Sequence, residues 1–185
     1  MRILGVNGIR NWSWSKDSFT DKFLDVLSKD FETIDVKYPI LTALSAWLPG
    51  ALDRRANAMI DLSRPGDCVV AHSAGALVTI HAMRMGAEYD TVFFFGAACA
   101  SNIGFPMYGC KRIYNVHSPD DMALMAGSLW PWHEFGPLGL VGYTGRDPRV
   151  VNVLAPGLGH TDYAKPKNLC HWAAFIKENL SAGTD

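Results

Sequence analysis

Apolar positions fall into short β-branched or aromatic runs that alternate with stretches of helical period. Residues 3–6 read as a short buried strand closed by Asn7 and Gly8. Residues 17–29 place Phe19, Phe23, Val26 and Leu27 on one helical face. A second strand is expected over 33–38, stopped by Pro39, and residues 40–50 carry no period before the turn pair Pro49-Gly50. A helix follows over 51–62, a strand over 67–72, and a helix over 74–85 ended by Gly86. The remaining strands are expected at 91–95, 112–117 and 150–154, with a small-residue loop over 96–109 and a closing amphipathic helix over 168–180. Strands that alternate with helices imply βαβ units: an α/β three-layer sandwich with a mostly parallel central sheet. With no internal repeat or linker, residues 1–185 are expected to form one domain.

Residues 127–149 break the alternation, being rich in Gly, Pro and aromatics and lacking a helical period. Long unpatterned segments in small domains are usually functional or disordered, and Trp130, Trp132, Phe135 and Tyr143 argue against disorder. The segment lies between two strand ends and is expected to overhang whatever site those ends build. Trp130 and Trp132 are then candidates to grip an apolar group.

The run from Asp67 to Val78 carries the first candidate chemistry. A β-branched strand ends in small residues around Ser73, and a helix begins at once. A tight strand-to-helix turn of this kind projects a Ser hydroxyl above the sheet and needs small neighbours, here Ala71 and Gly75. A serine needs a base to take its proton, and the base needs a partner to fix its tautomer. Both are available at later strand ends: Asp120 or Asp121 after residues 112–117, and His160 after the last strand. Developing negative charge on a bound carbonyl would be met by the N–H of Ala74, at the start of the helix.

Other polar residues read more plainly. His72 occupies the variable position beside Ser73 and is expected to pack under or beside the site; His117 is expected to cap its strand, and Asp162 to be a loop or helix-entry residue. Arg10, Arg146 and Arg149 read as solvated surface cations, and Phe93, Phe94 and Phe95 as sheet core. No metal is expected, because neither His133-Glu134 nor His117 with Asp120 has metal-ligand spacing.

Composition narrows the partners. About half the residues are apolar (49%) and 19% are charged, with a net charge of −1, which disfavours nucleic acid as a partner. No stretch approaches the roughly 18 apolar residues of a membrane span. Cys68, Cys99, Cys110 and Cys170 are scattered, so a reduced, cytoplasmic setting is expected.

With these residues in view, the chain resembles a small α/β-hydrolase of the serine esterase and lipase kind. The resemblance rests on Ala71-His72-Ser73-Ala74-Gly75, on Ser118-Pro119-Asp120-Asp121 followed by apolar residues, and on Gly159-His160, in the order Ser, acid, His. It runs from Ile3 to Leu180 and implies a minimal form of that fold, without the early antiparallel hairpin and without a separate cap domain. It favours Asp121 over Asp120 as the acid. It also matches Asn7-Gly8-Ile9 to the family's His-Gly-x segment, which makes Ile9 the second oxyanion donor. The implied activity is hydrolysis of a small apolar carboxylic ester through an acyl-enzyme, without a cofactor. The same residues would serve an amidase, a thioesterase or a lipid acyl hydrolase, and a catalytically silent binding protein is the rival from another class. Oligomeric state is left open.

Overall fold

The computed structural model describes residues 1–8, 18–37, 50–127 and 135–181. Six parallel strands form one sheet: β1 (Arg2–Val6), β2 (Glu32–Asp35), β3 (Asp67–His72), β4 (Tyr89–Phe95), β5 (Cys110–His117) and β6 (Val150–Leu154), in the order β2-β1-β3-β4-β5-β6. The main helices are α1 (Phe19–Leu27), α2 (Ala51–Ile60), α3 (Gly75–Arg84) and α6 (Pro166–Ser181).

The interior strands β1, β3 and β4 read as apolar runs because both faces are covered. Alternate residues enter opposite layers: Ile3, Cys68, Val70, Phe93, Phe95, Tyr114 and Val116 pack with α1 and α6. Leu4, Val6, Val69, Ala71, Val92, Phe94 and Ile113 pack with α2 and α3. Helix α1 starts at a capping box in which Ser18 and Asp21 satisfy each other's backbone N–H groups. Close approach of α1 to β1 requires Gly5, where a Cβ would stand 2.7 Å from Leu24 Cδ1. A buried pair, Arg2 to Asp67, ties the starts of β1 and β3 together, with both carboxylate oxygens engaged at 3.0 and 2.6 Å.

Two short helices, α4 (Met122–Gly127) and α5 (Leu138–Val141), carry no signal in the sequence, being too short to display a 3.6-residue period. The strand expected over 33–38 is Glu32–Asp35, an edge strand. A further difference concerns Arg149, which is not a solvated cation. It forks onto Asp147 at 2.6 and 2.9 Å and donates to the carbonyls of Phe105, Pro106, Met107 and Cys110, so it clamps the turn that enters β5.

Register brings Val6 beside Ala71, His72 beside Phe95, Phe95 beside Val116, and His117 beside Leu154. The carboxyl ends of β1, β3, β4, β5 and β6 therefore share one rim. Strand order reverses between β1 and β3, and the chain leaves them towards opposite faces, into α1 and α3. A crevice at such a reversal is where ligands bind in open α/β sheets.

Candidate active site

Ser73 stands at that reversal. It is the single non-glycine residue with positive φ (+56°) among the described residues, the strained backbone that a sharp strand-to-helix turn imposes. Its N–H donates to Phe95 O at 3.1 Å, and its carbonyl accepts from Ala98 N at 3.1 Å and Ala76 N at 3.2 Å. The turn is crowded on both sides. A Cβ on Gly75 would lie 2.3 Å from Val6 O, and one on Gly8 would lie 2.6 Å from Ser73 Cβ. Ala71 has room for its methyl because it points into the α2/α3 layer rather than into the turn.

His160 reaches Ser73 from the loop after β6. Its Nε2 lies 2.9 Å from Ser73 Oγ, and its Nδ1 lies 2.7 Å from Asp121 Oδ2. Asp121 is fully buried at the start of α4, and its Oδ1 accepts from Leu124 N at 3.0 Å. Asp120 turns away: its Oδ2 accepts from Gly157 N at 2.7 Å and so holds the His160 loop by its backbone. Asp162 opens a short 3₁₀ helix, Asp162–Ala164, so of the two expected roles it takes helix entry, accepting from Gly159 N at 3.0 Å and pairing with Lys165.

Two contacts beneath these residues carry no signal in the sequence. Gly96, with φ +52°, follows β4, and a Cβ there would lie 3.2 Å from Asp121 Oδ2 and 3.3 Å from His160 Nδ1. His72 is buried against Phe19, with ring centroids 4.1 Å apart and planes 10° apart, and its Nε2 lies 2.8 Å from His160 O. Burial, and next the neighbouring His160, push its pKa down to about 3, so it is neutral in the working range.

The loop after β1 is anchored at Asn7. Its amide donates to Ser18 Oγ at 3.1 Å and to Thr20 Oγ1, and its Oδ1 accepts from Thr20 N. Gly8 thereby lies against the elbow, 3.0 Å from Ala74 N measured from its would-be Cβ. Ala74 N–H belongs to the first turn of α3, where a helix supplies no internal acceptor. Ile9, Trp130 and Trp132 lie outside the described residues. The part of the 127–149 segment that is described packs on the loop after β4, through Leu138 N to Cys99 O, Gly139 N to Ala97 O and Thr144 N to Ser101 O.

His117 ends β5, and its carbonyl accepts from Ala155 N at 2.8 Å. Burial raises the pKa of Cys68 to about 11 and that of Cys110 to about 12, so these thiols stay protonated and poorly nucleophilic. Among the described residues no three His, Cys, Asp or Glu side chains gather as a metal site would require, and no helix is long and apolar enough to cross a membrane.

This arrangement can move a proton from Ser73 Oγ to His160 Nε2 while Asp121 fixes the tautomer and steadies the resulting cation.

No protein-family profile and no curated protein sequence matches the chain. Solved structures do match it. Mouse alpha/beta hydrolase domain-containing protein 10 superposes with a TM-score of 0.66 at 10% identity, covering 98% of this chain and 90% of that one. Est1E from Butyrivibrio proteoclasticus, in a structure with ferulic acid bound, gives 0.57 at 11% identity over 98% and 88%. The esterase domain of a Rhodothermus marinus protein gives 0.54 at 16% identity over 98% and 85%. The chain has the α/β-hydrolase fold.

Proposed function

We propose that the protein is a serine hydrolase acting on carboxylic esters through Ser73, His160 and Asp121. One observation carries this reading: on a positive-φ serine at the sheet reversal, the hydroxyl, imidazole and carboxylate stand in hydrogen-bonded line at 2.9 and 2.7 Å. His160 Nε2 takes the Ser73 proton as Oγ adds to the substrate carbonyl. The N–H of Ala74 receives the oxyanion, and the second donor is assigned to Ile9, the residue after Gly8. His160 then passes its proton to the departing alkoxide, which leaves Ser73 acylated. Water, deprotonated by His160, adds to the acyl carbonyl and releases the acid.

An ester substrate is supported by the esterases among the structural neighbours, one of which was solved with ferulic acid bound. Trp130 and Trp132 are assigned to grip an apolar acyl group. Four free cysteines suit a reducing, cytoplasmic location. A fluorophosphonate probe tests the reading. Wild type should label and Ser73→Ala should not; a folded wild type that stays unlabelled makes the protein a silent binding fold instead. A panel of p-nitrophenyl esters of rising chain length then defines the acyl group, and Trp132→Ala should shift chain-length preference more than turnover of the shortest ester.

A further inference from the structure

No step of the proposed hydrolysis touches His72, yet its side chain meets the base. Its Nε2 lies 2.8 Å from the main-chain oxygen of His160. A carbonyl only accepts, so Nε2 carries the proton. On its other side the ring stacks on Phe19, the first residue of α1, whose start is bonded to Asn7. The His72 backbone is itself held in β3 beside Phe95. The donor is thus fixed from the nucleophile's own strand.

The backbone of His160 needs such a hold. It follows an edge strand, and its loop contains Gly157, at φ +75°, and Gly159, residues of large backbone freedom. Asp120 secures Gly157 and Asp162 secures Gly159, but only His72 meets the carbonyl of His160 itself among the described hydrogen bonds.

We propose that His72 is a positioning residue whose Nε2–H pins the His160 carbonyl, keeping the base in line between Asp121 and Ser73. The inference rests on the reading of Ser73 and His160 as nucleophile and base. Neutrality of His72 suits the task, since the two imidazoles are 4.6 Å apart and His160 becomes cationic during turnover. A second cation there would oppose that protonation. Burial and His160 keep His72 neutral, while Asp121 and the carbonyl bond pull the other way without prevailing.

Two variants separate the hydrogen bond from the packing. His72→Gln places an N–H three bonds beyond Cβ, as in histidine, but has no ring to stack; His72→Phe keeps a ring on Phe19 and has no donor. His72→Leu, also without a donor, replaces the Phe variant should that one not fold. Expected is a fall in kcat of about 10- to 100-fold for the Phe and Leu variants, the scale of a small misplacement of a reacting group. KM should change little, and the low-field proton resonance of the His160–Asp121 bond should broaden. His72→Gln should recover most of the rate and the resonance. Wild-type kcat and resonance in His72→Phe overturn the proposal, as does an equal loss in folded His72→Gln. Should wild type neither label at Ser73 nor hydrolyse any ester, the hydrolase reading fails. The His160 resonance, present with Gln and lost with Phe or retained in both, still decides the role of His72.

Discussion

Asp120 and Asp121 are neighbours in sequence that serve the same loop in different ways. Asp121 Oδ2 holds the His160 ring from a fully buried position, at 2.7 Å, whereas Asp120 Oδ2 holds the loop by the backbone N–H of Gly157, also at 2.7 Å. One orients the proposed base and the other its tether. Asp121→Asn should therefore lower kcat/KM on a p-nitrophenyl ester by about 10⁴-fold, as loss of a triad acid does in serine proteases. Asp120→Asn keeps an oxygen for the Gly157 N–H and loses only the charge on that exposed acceptor, so it should cost less than about tenfold. The reverse ranking would transfer the acid role to Asp120.

Gly96 lies beneath the hydrogen bond between Asp121 and His160. Gly96→Ala puts a methyl 3.2 to 3.3 Å from Asp121 Oδ2 and His160 Nδ1, on a backbone at φ +52°. A loss of about 1 to 2 kcal/mol in chemical denaturation is expected from the left-handed conformation, with a fall in kcat of about 10²-fold as the pair is pushed apart. Wild-type turnover in a folded Gly96→Ala protein would show that the pair tolerates displacement.

Ser73 holds a conformation that costs an L-residue energy and glycine almost none. Ser73→Gly and Ser73→Ala should both be inactive, but the glycine variant should be more stable by about 1 kcal/mol, the relief of left-handed strain less the greater freedom of the unfolded glycine. Equal melting points would mean that the elbow relaxes when the hydroxyl is removed.

His72 links stability to pH. Its folded pKa, about 3, lies below its ordinary value of 6.5, so between those values the unfolded chain binds a proton that the native protein refuses. Its contribution is whole above pH 6.5 and declines as pH falls, by about 1.4 kcal/mol per unit, until the folded group titrates. Denaturation of His72→Phe between pH 6.5 and 4 should show a slope shallower by that amount than wild type. An unchanged slope would mean that His72 is protonated in the native state.

The sheet was legible because three interior strands, β1, β3 and β4, spell apolar runs such as Val92 to Phe95. The turn at Ser73 was legible because close approach leaves only small residues beside it, and Asp121 and His160 stood out as polar groups at strand ends. The rest is hidden for physical reasons. The partner of His72 is a backbone oxygen 88 residues away, and every residue type supplies one. Arg149 looks solvated because four of its acceptors are carbonyls, and only Asp147, two residues before it, is a side chain. Gly96 resembles any glycine after a strand, and α4 and α5 are one turn or little more.

The position of β6 at the rim of the sheet has a consequence for how the protein comes into being. Ser73 and Asp121 belong to strands paired on both sides, but His160 follows a strand held by β5 alone, 87 residues after the serine. Synthesis proceeds from the N-terminus, so Ser73, its crevice and Asp121 can be assembled while His160 is still unmade. In the proposed chemistry a nascent chain is therefore inert towards esters until its final strand emerges and docks. In the finished protein, fraying of that single strand would withdraw the base and silence the site with the other five strands intact.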